Sequence, residues 1–149
     1  MTNRATYDDA NLILRLYELR REETMRKARQ WFASFAPNNP EEIQKVTTFG
    51  TQENAYMRMV LSYWDMAASM VTSGVLNEDL FLESGGELLF TWEKVRTIVP
   101  ESRARMNNPA YLKNLETVAQ AAIKRMGPEA YETWSAMVRG AAATAAGRA

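Results

Sequence analysis

The stretch from Gln52 to Ser73 most constrains what this chain can fold into. Wound as a helix, it carries Tyr56, Met57, Met59, Val60, Leu61, Tyr63, Trp64, Met66, Ala67, Ala68, Met70 and Val71 over most of its circumference. A helix that is apolar on nearly all sides is stable only when other helices enclose it. Gly50 and Thr51 introduce it, and Gly74 stands where a left-handed residue ends a helix. Arg58, Ser62, Asp65 and Ser69 interrupt its densest part, so it falls short of the ~20 apolar residues that cross a bilayer. The segment reads as the buried axle of a helical domain, with no membrane span.

Caps and breakers mark the helices around it. A first helix is expected over residues 6–35, with Asp8 and Asp9 in its first turn, where the helix dipole favours acids. Leu12, Leu16 and Leu19 line one face, and Ala28, Trp31, Phe32 and Phe35 resume it. Such a helix would be roughly 40 Å long, so it either outruns the domain or kinks at the polar stretch from Arg20 to Thr24. Asn39-Pro40-Glu41-Glu42 supplies a cap, a first-turn proline and two first-turn acids for a short helix ending near Val46 or Thr48.

Asn77 caps a second short helix through Glu83. Ser84 and Glu87 have capping-box spacing ahead of a helix with Leu88, Leu89, Trp92, Val95, Ile98 and Val99, which Pro100 is expected to stop. Residues 100–108 read as a connector with one turn near Ser102–Met106. Asn108-Pro109 is expected to open the next helix, carrying Leu112, Leu115, Ala119, Ala122, Ile123 and Met126, and Gly127-Pro128 breaks it. A last helix carries Tyr131, Trp134, Met137 and Val138 before an Ala-rich tail, 140–149, expected to fray. No segment alternates as strands do. The expectation is an all-α single domain over residues 1–149, an irregular bundle of about five substantial helices plus short ones.

Composition narrows the chemistry. The 149 residues include no Cys and no His, which excludes disulfides, thiol nucleophiles, zinc ribbons, histidine-based triads and histidine haem ligands. No metal site, cofactor or catalytic residue is indicated, and an enzyme is the least favoured reading. Lys+Arg and Asp+Glu both number 18. The densest basic run, Arg20, Arg21, Arg26, Lys27 and Arg29, is threaded with Glu18, Glu22 and Glu23, which reads as an ion-paired helix face rather than a nucleic-acid surface. The start of the chain has no apolar signal segment, so a cytoplasmic location is expected.

Two sets of residues are candidates for function. The polar residues of the central helix, Arg58, Ser62, Asp65, Ser69 and Thr72, fall at i, i+4, i+7, i+11 and i+14, on one stripe. That stripe faces either water or a pocket, where Arg58 and Asp65 would offer opposite charges to a small polar or zwitterionic ligand. Trp31, Phe32 and Phe35 form an apolar end of the first helix that could pack across a two-fold axis. Arg103 and Arg105 either cap nearby helix ends or form an anion site.

Tyr63-Trp64-Asp65, Ser73-Gly74-Val75-Leu76-Asn77-Glu78-Asp79-Leu80, Trp92 with Pro100 and Arg103, and Pro109-Ala110-Tyr111 together resemble a family of uncharacterised bacterial helical proteins. The resemblance spans residues 61–111 and implies an all-helical fold, with no activity or residue role to carry over. Several relatives look membrane-anchored through a preceding segment. The leading expectation is a non-enzymatic protein-interaction or regulatory module, self-associating through Trp31, Phe32 and Phe35. The alternative is a small-molecule-binding protein with its pocket beside the central helix.

Overall fold

A computed structural model describes residues 4–148, with side chains through Gly140. Among them are nine helices and no strand: α1 Tyr7–Leu19, α2 Glu23–Ser34, α3 Pro40–Thr47, α4 Gln52–Thr72, α5 Glu78–Ser84, α6 Glu87–Val95, α7 Val99–Arg105, α8 Lys113–Met126 and α9 Pro128–Arg148. The Ala-rich stretch runs within α9; its side chains, and with them the expectation of fraying, lie outside the described residues. The central segment is the expected axle. α2, α3, α6 and α8 pack on α4, and Met57, Val60, Leu61, Trp64, Ala67 and Ala68 are buried beneath them. Thr51 caps it through the Asn54 N–H, and Gly74, at φ +84°, ends it.

The expected helix over 6–35 is two helices, broken within the polar stretch. Glu22 leaves helical geometry (φ −57°, ψ 144°), and its carboxylate accepts from the Thr24 and Met25 N–H groups as the cap of α2. Those two bonds hold the Glu22 carboxyl below its ordinary pKa. At the start of α1 a capping box joins Thr6 and Asp9, and the second Asp9 oxygen accepts from the Asn77 N–H at 2.8 Å. The backbone bonds from Thr6 and Asn77 lower the Asp9 pKa in turn.

Glu87 does not close a box with Ser84. Gly86 is the N-cap of α6 without a side-chain bond, and Ser84 donates to the Phe81 carbonyl. The Glu87 carboxylate receives Arg29 through both Nε (2.6 Å) and Nη2 (2.9 Å), and Arg20 through Nη1 (2.9 Å). A bidentate guanidinium outcompetes the single backbone N–H that a capping box would offer this carboxylate, so the α1–α2 break is clamped to α6. Within the basic run, then, Arg20 and Arg29 serve the fold, and Lys27 pairs with Glu23 at 3.4 Å.

Pro100 starts a helix instead of stopping one. α6 ends at Val95 and Pro100 sits in the first turn of α7, where its missing N–H costs nothing. Asn108-Pro109 likewise leads into turns; α8 begins only at Lys113, after Leu112 in the left-handed region (φ +59°).

Two buried charges on α6 tie down its neighbours. Lys94 donates to the Ala33 and Phe35 carbonyls at the end of α2. Burial pulls its ammonium down to about 8, against the opposing charge of Glu42. Glu93 accepts from Tyr131 and Ser135 of α9 and from Arg96. Burial alone would raise its pKa, but the bonds from Ser135, Tyr131 and Arg96 outweigh it and leave the carboxyl low.

Phe32 and Phe35 are not a surface for a partner. They are 2% and 0% exposed and stack on each other at 6.4 Å, with Phe32 also edge-on to Phe90. Trp31 is half-buried against Phe35 and Tyr56. The break at Arg20–Glu22 is the physical reason: it folds α2 back onto α4 and turns its apolar end inward. Phe35→Ala is therefore expected to cost about 3–5 kcal/mol in urea unfolding. Unchanged stability with altered oligomer mass would instead mark Phe35 as an interface residue.

Candidate functional site

The polar stripe of α4 borders a surface cleft with two arms. The outer arm, about 670 Å³, is lined by Ala55, Arg58, Met59, Leu61, Ser62, Asp65, Tyr111 and Leu112. The inner arm, about 350 Å³, shares Arg58, Leu61, Tyr111 and Leu112, and reaches Met57, Val95, Ile98 and Val99, with Phe49, Ser102, Arg105 and Met106 also on its walls. Leu61, Val95 and Val99 belong to the hydrophobic core, so the cleft floor is the core's own surface. Phe49, 84% exposed, and Met106, 46% exposed, stand at the mouth.

Each wall is positioned by identifiable bonds. Asn54 is the hinge between α3 and α4: its Nδ2 donates to the Val46 carbonyl at 2.6 Å, and its Oδ1 accepts from Arg58 Nε at 3.0 Å. The Arg58 guanidinium lies 5.3 Å from the Phe49 ring centre, a cation–π contact that fixes the arginine plane. On the opposite wall, Arg103 donates from Nε to the Tyr111 carbonyl (2.7 Å) and from Nη2 to Glu116 (3.0 Å). Asn108 Oδ1 accepts from the Ala110 N–H at 3.1 Å, and closes the turn between α7 and α8.

Asp65 completes that wall. Leu112, the N-cap residue of α8, has no side-chain acceptor to give, and Asp65 Oδ1 accepts from the Leu115 N–H at 3.0 Å. A carboxylate from α4 thus serves as the cap that the sequence next to α8 lacks, in the field of the helix N-terminus. Burial, and then the Asp65 charge, push the Tyr111 hydroxyl up, opposed by Arg105.

The stripe therefore divides. Arg58, Ser62 and Asp65 reach the cleft together. Ser69 does not line it and bonds to the Met66 carbonyl, while Thr72 donates to Asn114 of α8 at 2.7 Å. Asp65 caps α8 through Oδ1 while it lines the outer arm with Arg58. Arg103 takes the structural role anticipated for the connector arginines; Arg105, beside it, faces the cleft. Its place there depends on the turn at the end of α7, which no local spacing signals.

Other charged clusters are closed. A cavity of about 60 Å³ between α1, α4 and α6 contains Arg20 and Glu87, but these are paired with each other. Among the described residues no group of three or more Asp or Glu could hold a metal ion.

Fold and cleft define an all-α domain with one elongated surface site against its central helix. The chain belongs to the family described as a domain of unknown function (DUF4760), whose model matches residues 5–122, in agreement with the resemblance carried by residues 61–111. α9 starts beyond that span. No curated protein and no solved structure matches the chain. The motifs that carried the resemblance are ties between helices: Asp65 to α8, Asn77 to Asp9 and Leu80, and Arg103 to Tyr111.

Asp65→Ala is expected to lower the unfolding free energy by about 1 kcal/mol, the usual worth of an N-cap, with Asp65→Asn recovering part of it. Equal stability of all three forms in urea would show that α8 needs no cap from α4.

Proposed function

We propose that the chain is a non-enzymatic ligand-binding domain that works through the cleft beside α4. The observation that carries this reading is the cleft floor, where Leu61, Val95 and Val99 of the core line a space reached from the surface between Phe49 and Met106. Small-molecule sites are mostly apolar, with few polar groups and volumes of ~300–1,000 Å³. The polar groups at the walls are suited to holding a ligand: Ser62 donates to the Met59 carbonyl, away from acid–base partnership with Asp65. A cytoplasmic bacterial protein is part of the same reading; among the described residues no helix is long and apolar enough to cross a membrane.

The test is a thermal-shift screen of apolar acids, amines and alcohols on wild type and on Ser102→Trp, which fills the inner arm from its rim. A ligand present at about 100 times its Kd stabilises by about 2.7 kcal/mol. The expected result is a rise in Tm for at least one class that Ser102→Trp abolishes. Ligand-induced shifts identical in the two proteins, or no shift from any class, would contradict the reading.

Regulated association with another protein is the second reading, and the outward face of α1 supports it in place of Trp31, Phe32 and Phe35. Tyr7, Leu14 and Tyr17 are exposed there, while Leu16 faces the core. Under that reading Leu14→Glu lowers the mass measured by sedimentation and leaves cleft binding intact; an unchanged mass removes α1 as the contact.

A further inference from the structure

We infer that the ligand of this cleft is an amphiphilic anion, its head held by Arg58 and Arg105 and its apolar body lying against Phe49, Ile98 and Met106. This rests on the ligand-binding reading and names the chemistry of that same site.

The inference starts from which arginines this chain pairs with acids. Arg20 and Arg29 meet Glu87, Arg96 meets Glu93, Arg103 meets Glu116, and Arg125 meets Asp79 and Glu83. Arg58 and Arg105 stand apart from these, and both line the cleft. Among the described residues neither Arg58 nor Arg105 makes an ion pair, and no Asp or Glu lines the inner arm that both of them face. Two cations therefore share the inner arm, whose lining holds no acid, while Asp65 lies in the outer arm beside Arg58. Low-dielectric walls concentrate the field of like charges, so such a recess draws anions.

Arg58 is also set in advance for the task. A guanidinium has five N–H donors; here Nε is occupied by Asn54, and Phe49 stacks on the plane. The two terminal nitrogens keep their donors for a planar or tetrahedral oxyanion, the bidentate geometry in which arginine binds carboxylate and phosphate. Arg105 touches Ser102 Oγ only at 3.4 Å and keeps its remaining donors as well. The anion's cavity is separate from the acid: Asp65 lines the outer arm, and no Asp or Glu lines the inner one. A purely inorganic anion would leave Phe49, Ile98 and Met106 of the inner arm against water. A carboxylate or phosphate monoester on an alkyl or aromatic body satisfies both halves of the site.

Calorimetric titration of the full chain with decanoate, decyl phosphate, decyltrimethylammonium and decanol, each below its micelle-forming concentration, tests this. The two anions should bind at least about tenfold more tightly than the cation, and more weakly as salt is raised. Arg58→Gln and Arg105→Gln should each weaken anion binding by about five- to tenfold and leave decanol binding unchanged. Whichever of decanoate and decyl phosphate binds more tightly identifies the head group. Equal binding of all four probes, or anion binding unaffected by both substitutions, overturns the anionic assignment while the binding reading stands. Failure of every probe to bind overturns both. Circular dichroism of the variants is expected to match wild type, because both arginines are exposed.

Discussion

A single carboxylate sets the geometry on which the candidate site depends. Asp65 projects from the middle of α4 and accepts the Leu115 N–H, and so decides where α8 begins. Without that acceptor the first N–H groups of α8 would have no side-chain cap, since Leu112 cannot provide one. Leu112 adopts φ +59°, a region costing an L-residue roughly 1–2 kcal/mol, and its side chain is buried in return. The Asn108–Leu112 turn is held in this shape by Arg103 and Asn108. Tyr111 and Leu112 then form the wall opposite Arg58. Packing against α2, α3, α6 and α8 fixes the rotation of α4, which leaves Ala55, Arg58, Ser62 and Met66 on its exposed side.

Where local chemistry decides, the sequence was legible. Asn39-Pro40 starts α3 and Thr51 starts α4; Gly74 ends α4 and Gly127 ends α8. In each, a residue's own backbone preference or short side chain fixes the terminus. Where a distant group competes, local patterns misled. Glu87 has capping-box spacing, yet two arginines 58 and 67 residues away claim its oxygens. Pro100 looks like a stop, but three residues of turn after Val95 let it open α7. Phe32 and Phe35 look like an exposed end only while α1 and α2 are one rod; the Glu22 cap folds them inward.

The candidate site was legible in the same measure. The spacing of Arg58, Ser62 and Asp65 along α4 placed them on one face, and the cleft brings all three together. Ser69 lies outside its lining because one further turn carries the stripe toward Asn114 and the packed face of α8. Arg105 was one of two arginines read as either caps or an anion site, and its place beside Arg58, like that of Phe49, comes only from the tertiary arrangement of α3, α4 and α7. Arg103 and Arg105 are two residues apart on a helix of about two turns, and only the positions of Tyr111 and Glu116 separate a structural arginine from one free to bind.

The most direct test of the central claim is paramagnetic broadening of amide signals by a doxyl-labelled fatty acid. Binding at the cleft predicts broadening confined to residues 46–49, 54–65 and 98–112, with the Tyr7–Leu19 amides of α1 unaffected. Broadening centred on α1 would contradict the account and move function to that exposed face.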